Sequence, residues 1–243
     1  MRARRLRNVT LILVASATAS AVAASAAQVP LRTIPIQPCN GPTMSGPYVY
    51  KGPSTTRVRL GEAEARLLVS FDGELLAPRS WRCFLTSSSD GVNLIAYNPS
   101  AGFFATYDSA PRFEPEEAVT ADYATPNTHA AELACPFFSA AVSDLPYSHA
   151  TCGPASFPAP TGESRSRVGA DEVTFVDPPG IGGTALPSGG RNTALGFMFF
   201  QKKRADATTT DLAATATCTV RNDLRFLCTS IFSDVIARAK TRY

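Results

Sequence analysis

The chain has 243 residues, 44% of them hydrophobic, with 23 basic and 20 acidic side chains. This is long enough and apolar enough to bury a substantial core in one domain. A nucleic-acid groove is excluded, because the only dense basic clusters beyond the N-terminus are Lys202-Lys203-Arg204 and the tail from Arg238 to Arg242.

Residues 1–27 have the pattern of a secretory signal peptide. Four of the first seven residues are arginines, an apolar run extends from Val9 to Val22, and small residues precede Ala27. We expect cleavage near Ala27 and a secreted or periplasmic protein of bacterial type, with no membrane span after cleavage. An uncleaved anchor is the alternative, and Arg4-Arg5 leaves both Sec and twin-arginine export open. Without the four arginines, 19 basic side chains remain against 20 acidic ones.

The exported part, residues 28–243, is expected to be a single domain. Residues 28–64 contain six prolines and few periodic apolar positions, which predicts an extended N-terminal segment. Short strands follow at 66–71, 81–85 and 92–98. Asp72-Gly73 and Asp90-Gly91 lie in the gaps between them, and Asp-Gly between apolar runs is typical of hairpins. The pattern predicts an antiparallel meander.

The middle of the chain has weaker patterns. Residues 107–127 are acidic and interrupted by prolines, which predicts a surface loop. A short helix is expected to begin at Thr128 and to be cut by Pro136. Residues 154–167 are rich in proline and serine, which predicts a mobile connection.

The C-terminal third is the most regular part. Strands are predicted at 172–176, 194–201 and 212–220, and a terminal helix is expected after Asn222 or Asp223 as N-cap. Helical spacing relates Leu224, Leu227, Cys228, Ile231, Phe232, Val235 and Ile236. The predicted fold class is therefore α+β: a mainly antiparallel β-sheet, a short central helix, and a C-terminal amphipathic helix packed on the sheet.

The six cysteines predict a disulfide-stapled domain. An exported chain meets an oxidising compartment, and six cysteines allow fifteen pairings. Cys218 lies on the apolar face of the last predicted strand, and Cys228 lies on the apolar stripe of the terminal helix, so the two side chains should face each other. We expect the pairs Cys218–Cys228, Cys135–Cys152 and Cys39–Cys83.

A loop with five glycines and three prolines, residues 176–192, joins two predicted strands. Its segment GIGGTA resembles the dinucleotide fingerprint in spacing, but the glycines and proline that follow oppose the helix which that fingerprint requires. No cofactor is therefore expected. Two interpretations remain: a ligand site formed by Asp177, Ser188, Arg191 and Asn192, or a structural loop closed by an Asp177–Arg191 contact.

Catalytic and metal chemistry has limited support. A hydrolase would need Ser188 or another serine with His129 or His149, the only two histidines, and no G-x-S-x-G motif occurs. His129, Cys135, His149 and Cys152 do not have zinc-finger spacing, and oxidation competes for the thiols, so no metal is expected. Glu62 and Glu64 do not by themselves indicate a glycosidase.

These observations favour an exported, disulfide-stapled protein with a binding or envelope-structural role. The expected partner is a small-molecule or protein ligand whose identity stays open, and nucleic acid is excluded. An exported hydrolase using a serine with His129 or His149 is the alternative, so whether the protein is an enzyme also stays open.

Overall fold

The computed structural model describes residues 29–43, 46–88, 91–107, 111–124, 134–135, 137–138, 161–183, 190–201 and 212–241. The predicted signal peptide, both histidines and Ser188 lie outside these ranges, so the predictions made for them stay predictions.

Within these ranges the protein is mainly β-structure. The strands are β1 (Leu31–Gln37), β2 (Pro42–Thr43), β3 (Gly46–Pro47), β4 (Thr55–Arg59), β5 (Leu68–Phe71), β6 (Leu75–Pro78), β7 (Arg82–Ser88), β8 (Gly91–Tyr97), β9 (Phe103–Tyr107), β10 (Pro111–Pro115), β11 (Ala118–Ala124), β12 (Ser164–Arg167), β13 (Glu172–Asp177), β14 (Ala194–Gln201) and β15 (Leu212–Thr219). The helices are α1 (Glu62–Leu67) and α2 (Leu227–Thr241), with a 3₁₀ turn at Asn222–Leu224.

The strands form two sheets and a separate β9–β10 hairpin. The smaller sheet has the order β4-β1-β5-β6, and the larger has the order β12-β13-β14-β15-β11-β8-β7-β2-β3. Neighbouring strands are antiparallel except in the pairs β1–β5 and β2–β7. The predicted α+β class with a mainly antiparallel sheet is confirmed.

Helix α2 packs on one face of the larger sheet. Leu227, Ile231 and Val235 are fully buried there, and the Phe232 ring meets the Phe197 ring of β14 edge-on, with centroids 5.1 Å apart. Successive side chains of a strand point to opposite faces. Met198 therefore belongs to a second core cluster, which also contains the helical residues Ala134, Cys135 and Phe138.

The C-terminal predictions are confirmed, with one shift in a boundary. All three predicted strands are present, and the apolar stripe of the terminal helix is buried. Asn222 does not begin the α-helix, because the 3₁₀ turn intervenes and α2 starts only at Leu227.

The predicted extended segment, residues 28–64, contains the strands β1 to β4. Of residues 154–167, predicted as a mobile connection, the described part 161–167 contains the strand β12. One prediction for the middle of the chain is wrong. Residues 107–127, predicted as a surface loop, contain β11 in the interior of the larger sheet, between β15 and β8. Prolines and adjacent glutamates hid an alternating strand whose Val119, Ala121 and Tyr123 are buried. Helical residues also follow Pro136, namely Phe137 and Phe138.

The β5–β6 hairpin confirms the predicted Asp-Gly turn but adds a strand. Asp72 has φ 52° and Gly73 has φ 73°, the two left-handed conformations that a tight hairpin turn needs. The strand β6 is short and ends at Pro78, and the sequence pattern did not predict it. The β7–β8 hairpin is also present, although Asp90 lies outside the described ranges.

Two of the predicted disulfides are present. Cys39–Cys83 ties the segment after β1 to β7, and Cys218–Cys228 ties β15 to α2. Cys135 is also disulfide-bonded. Its predicted partner, Cys152, lies outside the described residues. Such pairing is typical of proteins that fold in an oxidising compartment.

Asp72 connects its turn to the first disulfide. Its Oδ1 accepts a hydrogen bond from the backbone N–H of Cys39 at 3.0 Å. Its Oδ2 is buried and accepts no hydrogen bond within the described structure. Burial raises the pKa of Asp72 above its ordinary value, and the charge of Glu74 adds to the rise, while the Cys39 N–H and the Tyr48 hydroxyl offset only part of it.

Asp72→Asn is expected to stabilise the protein at pH 7. Because the folded-state pKa is raised, the wild-type side chain stabilises the fold most when protonated, and that stability is lost as pH rises through the folded pKa. Asparagine tolerates the left-handed turn and keeps an acceptor for Cys39. We expect a gain of about 1 kcal/mol at pH 7 that shrinks towards pH 3.

Urea unfolding of both proteins at a series of pH values measures this difference. Asp223→Asn is the control, because the Asp223 side chain is 66% exposed. A gain that is the same at pH 3 and pH 7 would contradict the assignment of the effect to the Asp72 charge.

Among the described residues, no helix combines the length and apolar character that crossing a membrane requires.

Candidate functional site

A groove runs between β4 and α2. Its main cavity has a volume of about 830 Å³, and an adjoining cavity of about 270 Å³ shares Arg59, Ser230 and Ser233 with it. The main volume lies within the range of about 300–1,000 Å³ that is typical of ligand sites. We call this space the β4–α2 groove, and its other lining residues are Val29, Pro30, Leu31, Arg57, Val58, Gly61, Glu64, Thr229, Asp234 and Ala237.

The sequence of β4, Thr-Thr-Arg-Val-Arg, explains one wall. Its side chains alternate, so Val58 is buried in the core while Arg57 and Arg59 are exposed. The opposite wall is the side of α2 that carries small side chains, including Ser230, Ser233 and Ala237. Small side chains on that helix leave the space that forms the groove.

The two acids in the groove are already engaged by the protein. Glu64 accepts hydrogen bonds from Ser230 Oγ at 2.6 Å and from the Gly61 backbone N–H at 2.7 Å. Asp234 accepts a hydrogen bond from Arg238 Nε at 2.7 Å. Burial raises the pKa of Asp234, although Arg238 opposes the change.

The two arginines of β4 are not engaged by acids. Arg59 Nη1 donates to the backbone oxygen of Val29 at 3.3 Å. Neither Arg57 nor Arg59 forms an ion pair with a carboxylate of the described structure. The β4 wall of the groove is therefore positively charged.

Among the described residues the outer edge of β4 is unpaired, since β4 is the terminal strand of its sheet and forms backbone pairs only with β1. Hydrogen bonds from Leu60 N to Pro30 O and from Ile36 N to Ser54 O set the register of the β1–β4 ladder.

Hydrogen-bonding direction alternates along an antiparallel strand. In this register Thr56 and Val58 direct their backbone groups to β1. Thr55, Arg57 and Arg59 therefore direct theirs outward. We call these outward backbone groups the open edge.

The glycine loop joins β13 and β14 as predicted, but its contacts differ from the predicted ones. Arg191 Nε lies 2.9 Å from Glu116 Oε1, and the Arg191 backbone N–H donates to Glu116 Oε2 at 3.2 Å. Asn192 Nδ2 donates to the Glu116 backbone oxygen at 3.0 Å. Arg191 therefore pairs with Glu116 and not with Asp177 as expected. Glu116 is buried two residues before β11, within the range that the sequence predicted as a surface loop.

Asp177 lies at the buried end of β13, beneath the same loop. The loop closes with a hydrogen bond from Gly180 N to Gly190 O at 2.7 Å. Gly183 packs on the Asp177 carboxylate so closely that an added Cβ would lie 2.0 Å from Oδ1. Arg191 and Asn192 meet at Glu116, while Ser188 lies outside the described ranges. A ligand role for these four residues stays a prediction.

The hydrolase alternative also stays a prediction, because His129, His149 and Ser188 all lie outside the described ranges. In the described part of the chain, no group of three or more histidine, cysteine or acidic side chains is arranged to hold a metal ion.

Comparison with protein-family models, with curated proteins and with solved structures found no match to this chain.

The groove had not been predicted from the sequence. The alternation in residues 55–59 was a usable signal for β4, but nearby prolines masked it. No local pattern indicates that Arg57 would face Ser230, since the two residues are far apart in the chain and only the packing of α2 brings them together.

Proposed function

We propose that the protein is exported and binds an extended, acidic polypeptide segment in the β4–α2 groove. The observation that carries the proposal is the open edge of β4 beside the groove. Arg59 lines the main cavity of about 830 Å³, Arg57 lines the adjoining cavity of about 270 Å³, and neither arginine has an acidic partner among the described residues.

Export rests on the signal-like N-terminus together with the disulfides. Paired cysteines in a chain of this kind favour an oxidising compartment outside the cytoplasm. We expect the mature protein, recovered from the envelope or the medium, to begin near residue 28. N-terminal sequencing tests this, and soluble cytoplasmic protein that retains Met1 would contradict it.

An extended segment fits the groove because exposed strand edges bind other strands through main-chain hydrogen bonds. The outward groups of Thr55, Arg57 and Arg59 supply donors and acceptors for such a strand. Alternate side chains of the segment would then face the small residues of α2.

Acidic side chains fit because the charge of the β4 edge is unbalanced. Arg57 and Arg59 are two residues apart and lie on one face of β4. A partner strand with carboxylates at alternate positions meets both guanidinium groups. A second copy of β4 would instead bring like charges together, which opposes self-pairing.

The ligand preference is tested with a blocked seven-residue peptide of alternating threonine and glutamate. The wild-type protein is expected to bind it more tightly than a matched threonine–lysine peptide. The double variant Arg57→Glu/Arg59→Glu should bind the glutamate peptide at least about tenfold more weakly, since two attractive contacts become repulsive. The same variant should gain affinity for the lysine peptide.

Arg82→Glu is the matched control, because Arg82 is an exposed arginine on β7 of the other sheet. Calorimetric titration of all three proteins with both peptides is decisive. Equal affinities of the wild type for the two peptides, or equal weakening by Arg82→Glu, would contradict the proposal.

A further inference from the structure

A separate cavity lies next to the C-terminal end of α1, outside the β4–α2 groove. Its volume is about 300 Å³, and it is bordered by the end of α1, the turn after β6, and the segment that leads into α2. Three arginines line it, namely Arg66, Arg79 and Arg221, together with Ser80 and Trp81. None of its described lining residues is acidic.

Arg79 is held in a fixed position. Its Nε donates to the Arg66 backbone oxygen at 2.7 Å, and its Nη2 donates to the Ala65 backbone oxygen at 2.8 Å. These carbonyls belong to the last turn of α1. A guanidinium group has five N–H donors, so three remain beyond these two bonds. Arg79 forms no ion pair within the described structure.

The other two arginines have acidic partners that lie outside the cavity lining. Arg66 pairs with Glu62 on the surface of α1, where both side chains are largely exposed. Arg221 lies 3.4 Å from Asp223 and 3.7 Å from Glu117. Glu117 also accepts a hydrogen bond from Asn98. The Arg66–Glu62 and Arg221–Asp223 pairs are exposed on both sides, and pairs of this kind contribute little to stability. Glu117 is buried, and it keeps the hydrogen bond from Asn98 when the Arg221 guanidinium also contacts an anion.

We propose that this cavity binds a tetrahedral oxyanion, a phosphate or sulfate group that is either free or carried as an ester on a small molecule. Three guanidinium groups from separate segments supply planar, multiply donating contacts, which suit such anions. The hydroxyl of Ser80 adds a further donor, and the buried Trp81 side chain forms an apolar wall. The site is independent of the peptide groove.

The test is calorimetric titration of the mature protein with inorganic phosphate, sulfate and phenyl phosphate at constant ionic strength maintained with chloride. At least one of these ligands is expected to bind saturably with Kd below about 1 mM. If phenyl phosphate binds more tightly than inorganic phosphate and sulfate, the natural ligand is an ester. If inorganic phosphate or sulfate binds as tightly or more tightly, the natural ligand is the free ion.

Arg221→Gln is expected to weaken this binding at least about tenfold. Lys51→Gln, which removes one exposed charge elsewhere, should leave it unchanged. Absence of saturable binding would overturn the proposal. Equal weakening by both variants would also overturn it, because it would show that only the overall charge of the protein matters.

Discussion

Alanine at both Cys39 and Cys83 is expected to lower the free energy of unfolding by about 4 kcal/mol. The disulfide closes a loop of 44 residues, and the entropy that a crosslink removes from the unfolded chain grows with loop length. The closed loop contains the turn of Asp72 and most of the smaller sheet, so the loss also weakens the attachment of β1.

The corresponding change at Cys218 and Cys228 should cost less, about 3 kcal/mol, because that loop spans only 10 residues. Urea unfolding of the oxidised wild type and the two double alanine variants gives both values. Equal costs, or a larger cost at the shorter loop, would contradict the assignment of the effect to chain entropy.

Phe197→Ala is expected to cost about 3–5 kcal/mol, the range for removing a large side chain from a tightly packed core. Phe197 is 2% exposed and lies between β14 and α2, where its ring contacts Phe232. Removing it leaves a cavity beneath the helix that forms one wall of the β4–α2 groove.

Phe84→Ala supplies the matched control for this variant. Phe84 belongs to β7 of the same sheet but is 42% exposed, so its removal leaves no enclosed cavity. We expect its cost to stay below about 1 kcal/mol. Thermal or urea unfolding of both variants measures the difference, and similar costs would mean that α2 contributes little to the core.

The sequence predicted the C-terminal half of the larger sheet because its periodicity is undisturbed. Strands β13 and β15 alternate, β14 is apolar on both faces as a central strand should be, and the stripe on α2 has helical spacing. The Cys218–Cys228 pair follows from the periodicities of β15 and α2. The strand β11 was missed because Glu116 and Glu117 precede it directly. Both acids are buried and pair with arginines that are distant in the sequence, Arg191 and Arg221. No local sequence pattern indicates that pairing.

The candidate site was missed for the same physical reason. A groove between an edge strand and a helix depends on how the smaller sheet and α2 pack, and that packing joins residues near position 57 to residues near position 230. The unusual composition of the glycine loop predicted a ligand site or a structural loop there. Its described residues anchor the loop to Glu116 and pack on Asp177, and the ligand role stays a prediction.

Residue-resolved amide hydrogen exchange, with and without the threonine–glutamate peptide, tests the central claim most directly. A strand added to the open edge protects the amides of Thr55, Arg57 and Arg59, because these alone face outward on β4. The amides of Thr56 and Val58, already directed to β1, should change little. Protection that alternates in this way is the predicted result. Unchanged exchange at the three outward amides under saturating peptide, or new protection confined to the glycine loop, would contradict binding at β4.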